Sequence, residues 1–168
     1  MSALEQMYQQ VILDHSKFPH GRGLPQGEDG TTAVASAPHP GCGISHQVNP
    51  TCGDEITLRV DVSRSGDVPV VEDVRWDGQG CSISQASVSV LHDLVVGQDL
   101  TTVDRLSATF RDLLGSRGAG LDDEEAEESL GDAIAFTGVG KFSARVKCAL
   151  LGWAALSDAL ILSGAREA

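Results

Sequence analysis

The sequence is poor in aromatic residues and in cations. Aromatic side chains make up 4% of its 168 residues, against 41% for all hydrophobic residues, so a core must consist mostly of Val, Leu, Ile and Ala. Twelve basic residues stand against 24 acidic ones, and the formal charge of −12 would repel a phosphate backbone. We therefore expect no nucleic-acid partner. The acidity favours solubility, or attraction to a partner with a basic face.

Long apolar runs are also missing from the sequence. No stretch reaches the roughly 18 apolar residues of a membrane span, and the N-terminus has no basic segment followed by an apolar run. These features predict a cytoplasmic protein that does not associate with membranes. Because the cytosol keeps thiols reduced, the four cysteines are expected to bind metal or take part in catalysis rather than form disulfides.

The first half of the chain predicts one helix and a small sheet. Residues 2–16 carry apolar residues at helical spacing, and Ser2 with Glu5 three positions later has the arrangement of a capping box. Alternating and valine-rich stretches then predict an antiparallel hairpin, which Gly78 and Gly80 are expected to end. The strands of this sheet are predicted at 44–48, 55–62 and 68–76.

The second half of the chain has helical periodicity. Its helices are predicted at 83–94, 102–114 and 143–162. The acidic run at 122–128 predicts a solvated loop or a short surface helix. Because no linker divides the chain, we expect one α+β domain over residues 1–168, in which a small antiparallel sheet of about three strands packs against a layer of helices with a long C-terminal helix.

Three of the four cysteines are predicted to lie where structural elements meet. Cys52 lies in a turn-forming segment before a strand, Cys81 follows a glycine-rich turn at the start of a helix, and Cys148 lies about one turn into the last helix. A helix N-terminus stabilises a thiolate, and Asp54 can reach the same ion as Cys52 if the turn folds back. Three thiolates and one carboxylate would complete a tetrahedral Zn²⁺ site; three unrelated buried cysteines are the alternative.

Four motifs give the sequence a family resemblance. They are NPTCGD at 49–54, GQGCSISQAS at 78–87, RVKCALLGW at 145–153, and YQQVILDH at 8–15 with Pro19 and Gly23 following. With these motifs the sequence resembles the IscU/NifU N-terminal family of iron–sulfur cluster assembly proteins, and most closely its SufU branch. Lys147 stands where IscU-type scaffolds have histidine, and the long separation of Cys81 from Cys148 leaves room for the inserted segment of SufU proteins, at about 102–128.

The resemblance implies a function and a set of site residues. It implies a zinc-dependent sulfurtransferase, in which Zn²⁺ is bound by Cys52, Asp54, Cys81 and Cys148, and which accepts persulfide sulfur on Cys52 from a SufS-type cysteine desulfurase. Arg145 would stabilise the thiolates or contact the partner, and other iron–sulfur assembly proteins are further expected partners.

Three alternatives to this function stay open or are disfavoured. The same residues could carry a [2Fe–2S] cluster as an assembly scaffold, or hold a zinc ion that is only structural. A zinc hydrolase or deaminase is disfavoured, because the sequence has neither a His-x-Glu nor a His-Glu-x-x-His pattern.

The remaining candidates have less specific patterns. Cys42 is expected to lie in a loop as an exposed or partly buried free thiol, or to bind metal with the nearby His39 and His46. Asp14 and His15, at the end of the first helix, are expected to have a structural or docking role. Two further residues are expected to have no catalytic role: Ser143 as a helix N-cap where the family usually has proline, and His92 on the polar side of its helix.

Overall fold

The computed structural model describes residues 2–24, 40–64 and 66–166, which form a three-stranded antiparallel sheet and a set of helices. Helix α1 (Ala3–Lys17) is followed by strands β1 (Cys42–Asn49), β2 (Asp54–Ser63) and β3 (Val70–Gln79). The chain continues through α2 (Ser82–Val95), α3 (Leu100–Gly115), α4 (Glu124–Ser129), a 3₁₀ segment (Gly131–Lys141) and α5 (Ser143–Leu162). The predicted α+β class and the long C-terminal helix are confirmed.

The sheet has the strand order β1-β2-β3, and α5 packs against β1 and β2. Alternate residues of β2 are buried, as the period of two in the sequence predicts. They are Ile56, Leu58, Val60 and Val62. Helix α5 therefore covers the apolar face of the sheet. Helix α2 packs on both α1 and α5, which adds a second helical layer beside it.

Two strands are longer than the sequence pattern predicts. Strand β1 begins at Cys42, which pairs with Asp61, and β3 continues through Gly78, which pairs with Ile56. A Cβ at position 78 would lie 2.3 Å from the carbonyl oxygen of Glu55. The strand therefore ends in the predicted glycine-containing segment, but only after Gln79; Gly78 itself pairs, and glycine is needed there because β2 approaches closely.

Helix α1 begins as predicted but leaves part of its apolar surface exposed. The backbone N–H of Glu5 donates to the Ser2 side chain at 3.1 Å, which gives the helix its N-cap. Ile12 is buried, whereas Leu4 and Met7 are 53% and 54% exposed. The helical periodicity in this segment is therefore only partly used for the core.

The 3₁₀ segment was not predicted, and it completes the core. Its Phe136 packs edge-on against Phe110 of α3, whose ring stacks on Trp153 of α5 with a centroid distance of 5.0 Å. These few aromatic side chains are thus concentrated where three elements meet, while aliphatic residues and alanine form most of the remaining core. The acidic run forms the short surface helix α4, and the status of 102–128 as an insertion stays a prediction.

Within the described ranges, no helix has both the length and the apolar character needed to cross a membrane.

Candidate metal centre

A tight turn between β1 and β2 presents Cys52 to solvent. The backbone N–H groups of Cys52 and Gly53 donate to the carbonyl oxygen of Asn49 at 3.3 and 2.8 Å, and the Asn49 side chain accepts from Thr51 N–H at 3.2 Å. Gly53 has a φ of +73°, a conformation that glycine adopts without strain. The turn returns the chain to Asp54, which pairs with Asn49 and is 1% exposed. Cys52 is therefore exposed beside a buried carboxylate.

Asp54 holds the start of helix α2. Its Oδ1 accepts a hydrogen bond from the Cys81 backbone N–H at 2.8 Å, and its Oδ2 lies 3.8 Å from the Cys81 Sγ atom. Cys81 is the N-cap of α2 and is half-buried. A Cβ at Gly80 would lie 2.2 Å from the Asp54 Oδ1 atom, so glycine is required for this approach. The N-terminal end of α2, where the helix dipole is positive, therefore lies at the Cys81 side chain.

Cys148 closes the site from helix α5. Its buried Sγ atom lies 3.5 Å from the Sγ of Cys52, and the Asn49 amide donates to it at 3.9 Å. Burial raises the pKa of the Cys148 thiol well above its usual range, and the neighbouring Asp54, Cys52 and Cys81 raise it further. A bound cation would oppose this shift, because positive charge stabilises the thiolate.

Three of the four predicted ligands meet closely. The ligand atoms of Cys52, Asp54 and Cys148 all lie within 4.8 Å of one another, whereas the Cys81 Sγ atom lies outside this group and 3.8 Å from the Asp54 Oδ2 atom. With Zn–S bonds of about 2.3 Å and Zn–O bonds of about 2.0 Å, two tetrahedral sulfur ligands lie about 3.8 Å apart, and a sulfur and an oxygen ligand lie about 3.5 Å apart. The observed distances are within about 0.3 Å of these values: 3.5 Å between the sulfur atoms of Cys52 and Cys148, and 3.8 Å between the Cys81 sulfur and an Asp54 oxygen. Thiolates with one carboxylate are also a donor set that suits Zn²⁺.

Arg145 lies next to this site on the wall of an open groove. The groove has a volume of about 590 Å³, and its lining also includes Cys81, Tyr8, Ile83 and Phe142. Arg145 and Lys147 are both exposed on α5, and the Arg145 side chain has no hydrogen bond or ion pair with the described residues. Sequence reasoning missed the groove, because its walls come from α1, the start of α2 and the unpredicted 3₁₀ segment.

Cys42 differs from its predicted environment. It is the first residue of β1 rather than part of a loop, and it is 1% exposed, so the expected exposed or partly buried thiol was wrong. Burial raises its pKa; Arg59 opposes this shift and Asp61 adds to it. Cys42 belongs to no cluster of metal ligands among the described residues. His39 lies outside those residues, and the exposed His46 is bound to Thr57 at 2.7 Å.

The other candidates take mainly structural positions. His15 is buried and hydrogen-bonds through both ring nitrogens, whereas Asp14 on the exposed side accepts from Gln10 at 2.7 Å. The predicted N-cap role of Ser143 was wrong by one residue: Phe142 is the N-cap, and Ser143 is the first helical residue, a position where proline is well tolerated. His92 bonds its neighbour Asp93 at 3.2 Å.

Comparison with known proteins adds to this geometry. The family model described as the NifU-like N terminal domain matches residues 7–149. The zinc-dependent sulfurtransferase SufU of Bacillus subtilis is 38% identical over 153 residues, which cover 91% of this chain and 88% of the relative. The iron–sulfur cluster assembly scaffold protein IscU of Streptococcus pyogenes is 35% identical over 160 residues, covering 95% of this chain and 86% of the relative.

A solved structure shows the same similarity in three dimensions. The crystal structure of FiSufU from Fervidobacterium islandicum superposes with a TM-score of 0.63 at 29% identity, and the match covers 90% of this chain and 94% of that one. The N-terminal NifU-like protein of Brucella abortus superposes with a TM-score of 0.68 at 23% identity, which shows a common fold.

Proposed function

This chain belongs to the NifU-like N-terminal domain (IscU/NifU) family, and from that premise we propose that it is a zinc-dependent sulfurtransferase for iron–sulfur cluster assembly. It would accept persulfide sulfur from a SufS-type cysteine desulfurase in the cytoplasm, where thiols are kept reduced. The observation that carries the proposal is the exposed Cys52 thiol, whose Sγ atom lies 3.5 Å from the buried Sγ of Cys148.

The metal ligands in this proposal are Cys52, Asp54, Cys81 and Cys148. Bound Zn²⁺ would keep the thiols deprotonated and protected from oxidation. Asp54 and Cys148 are buried, on a strand and on a helix, so their positions are fixed by the packing of the sheet against α5. Cys52 differs from them because it lies on an exposed, glycine-containing turn. It is therefore the thiol that a partner can reach with the least rearrangement.

Cys52 is the sulfur acceptor in the transfer step. Its thiolate attacks the outer sulfur of the desulfurase persulfide, and a new S–S bond forms on Cys52. The S–S bond of the desulfurase breaks, and its cysteine leaves as a thiolate. The reaction exchanges one persulfide for another, so it needs no external oxidant or reductant.

Arg145 has a supporting role in this proposal. Its exposed guanidinium lines the groove next to Cys81, where it can stabilise thiolate charge or contact an acidic group of the desulfurase. Lys147 stands where the IscU type has histidine, which favours sulfur transfer over cluster assembly. The scaffold alternative is supported by the IscU relative at 35% identity and by the same donor set.

Metal content and desulfurase turnover distinguish the two functions. We expect protein purified without oxygen to contain at least about one zinc per chain and to increase the turnover of a SufS-type desulfurase with cysteine. Replacement of Cys52→Ala should abolish both this gain and the persulfide carried by the chain, measured by mass spectrometry under non-reducing conditions.

The matched control is Cys42→Ala, which removes a thiol ten residues away. We expect this variant to retain the gain in turnover. Stoichiometric iron and sulfide without any gain would support the scaffold instead, and a Cys52→Ala protein that still carries persulfide would contradict the assignment of the acceptor.

A further inference from the structure

A second cluster of metal-binding side chains lies at the far end of helix α2. It consists of His15 in the last turn of α1, His20 in the segment after α1, and Asp93 in the last turn of α2. One ligand atom from each of these residues lies within 4.8 Å of the other two. Asp93 follows Cys81 by twelve residues along α2, so the rise of the helix separates the cluster from the cysteine site by about 18 Å.

The two imidazole rings lie side by side with an interplanar angle of 58°, and each contacts a carboxylate. The ring centroids of His15 and His20 are 4.8 Å apart. The Nδ1 atom of His20 lies 2.6 Å from the Oδ2 of Asp93, and the Nε2 of His15 lies 2.9 Å from the Oδ2 of Asp132. Two imidazoles and the Asp93 carboxylate therefore converge from three segments of the chain, and the carboxylate of Asp132 from a fourth segment contacts one of these imidazoles.

Buried hydrogen bonds hold these donors in place. The Ser89 hydroxyl of α2 lies 2.7 Å from the Nδ1 of His15 and accepts the backbone N–H of His20 at 2.8 Å. The indole N–H of Trp76 donates to the carbonyl oxygen of His20 at 2.8 Å. The backbone of His20 is thus fixed from two sides by buried residues, although its side chain is about half exposed.

The surroundings of the cluster favour a cation. An open cavity beside it has a volume of about 500 Å³, and its lining contains the carboxylates of Asp14 and Asp132. The described residues that line this cavity include no lysine or arginine. A divalent ion there would meet negative charge from several directions without a competing cationic side chain.

We propose that His15, His20 and Asp93 form a second metal site, with Asp132 as a further ligand. Neutral imidazole and carboxylate are the donors of divalent first-row ions such as Zn²⁺, Co²⁺ and Ni²⁺, whereas sites for Mg²⁺ or Ca²⁺ consist of oxygen donors. The ion links the end of α1 to the end of α2 and to the start of the 3₁₀ segment. It stabilises the helical layer independently of the cysteine site.

Cobalt binding tests this site directly. Protein loaded with one equivalent of zinc is titrated with Co²⁺, and binding is followed by calorimetry and by visible absorption. We expect one further equivalent of Co²⁺ whose spectrum lacks sulfur-to-cobalt charge transfer, because this cluster contains no thiolate. The imidazole proton signals of His15 and His20 should broaden as the paramagnetic ion binds. If no Co²⁺ binds in addition to the zinc, or if the bound Co²⁺ shows the spectrum of thiolate ligation, the proposal is overturned.

Two variants and one control assign the ligands. His20→Gln and Asp93→Asn should each weaken Co²⁺ binding at least about tenfold. Both side chains are about half exposed, at 49% and 43%, so both variants should fold, which far-UV circular dichroism without Co²⁺ verifies. His46→Gln removes an exposed histidine on the sheet and should leave the affinity unchanged. Unchanged binding in His20→Gln and Asp93→Asn, or a loss confined to His46→Gln, would place the ion elsewhere.

Discussion

The two ends of strand β1 show how position decides what a thiol can do. Cys42 begins the strand, pairs with Asp61 of β2 and is 1% exposed. Cys52 lies just beyond the other end, in a turn that leaves the ladder, and is exposed. The two thiols are ten residues apart and chemically identical, yet only Cys52 adjoins a second thiol and a buried carboxylate.

Helix α5 explains much of this difference. Near the Cys42 end its last turn approaches the sheet so closely that a Cβ at Gly43 would lie 1.9 Å from the carbonyl oxygen of Ala159. This packing excludes solvent from the start of β1. At the other end, the first turns of α5 supply Cys148 and the exposed Arg145. One helix therefore covers one end of the strand and builds a site at the other.

The largest expected effect concerns the carboxylates at the two ends of β2. Asp54→Ala should lower the zinc affinity at least about 100-fold, or about 2.7 kcal/mol, because it removes a ligand and leaves the Cys81 N–H without its acceptor. Competition with a chromogenic chelator measures this affinity. Asp61→Ala, at the Cys42 end, is the control and should change it by less than about twofold. Similar losses of zinc affinity in both variants would show that the metal does not bind specifically at the Asp54 end of β2.

A smaller effect is expected from the glycine that brings α2 to Asp54. Gly80 has a φ of +155°, and a Cβ there would meet the Asp54 side chain, so Gly80→Ala should lower the free energy of unfolding by about 1–3 kcal/mol. Urea denaturation measures the change. In Gly115→Ala the added Cβ meets nothing within 4 Å at the end of α3, and this variant should be neutral or slightly more stable. A neutral Gly80→Ala protein would show that Asp54 can move without cost.

The smallest expected effect is the pH dependence that Cys42 contributes. Its pKa in the folded protein lies above the ordinary value of 9.0, so the folded chain keeps this proton where the unfolded chain has lost it. The contribution to stability is therefore complete below pH 9.0 and is lost as the pH rises through the raised pKa. Above pH 9.0, wild-type protein should lose unfolding free energy faster than Cys42→Ala, by at most about 1.4 kcal/mol per pH unit. Equal slopes in urea denaturation series would show that the buried thiol does not titrate differently on folding.

Local patterns in the sequence predicted much of the fold. The period of two in β2, the apolar spacing of α2, α3 and α5, and the Ser2 cap of α1 depend on neighbouring residues only. The same local logic placed Cys81 at a helix start and Cys52 in a turn, where the structure has them. The 3₁₀ segment escaped prediction because its glycines interrupt any regular apolar period.

What the sequence by itself determined is the set of periods, caps and turns, and the residue types that could bind a metal. Only the tertiary structure decided which of these residues meet and which are buried. Cys42 looked like a loop residue because glycine and proline precede it, but pairing with β2 and the close approach of α5 bury it. His20 and Asp93 are far apart in the chain and meet only because α1 packs on α2. Burial and long-range contact depend on how whole elements pack, which no local pattern contains.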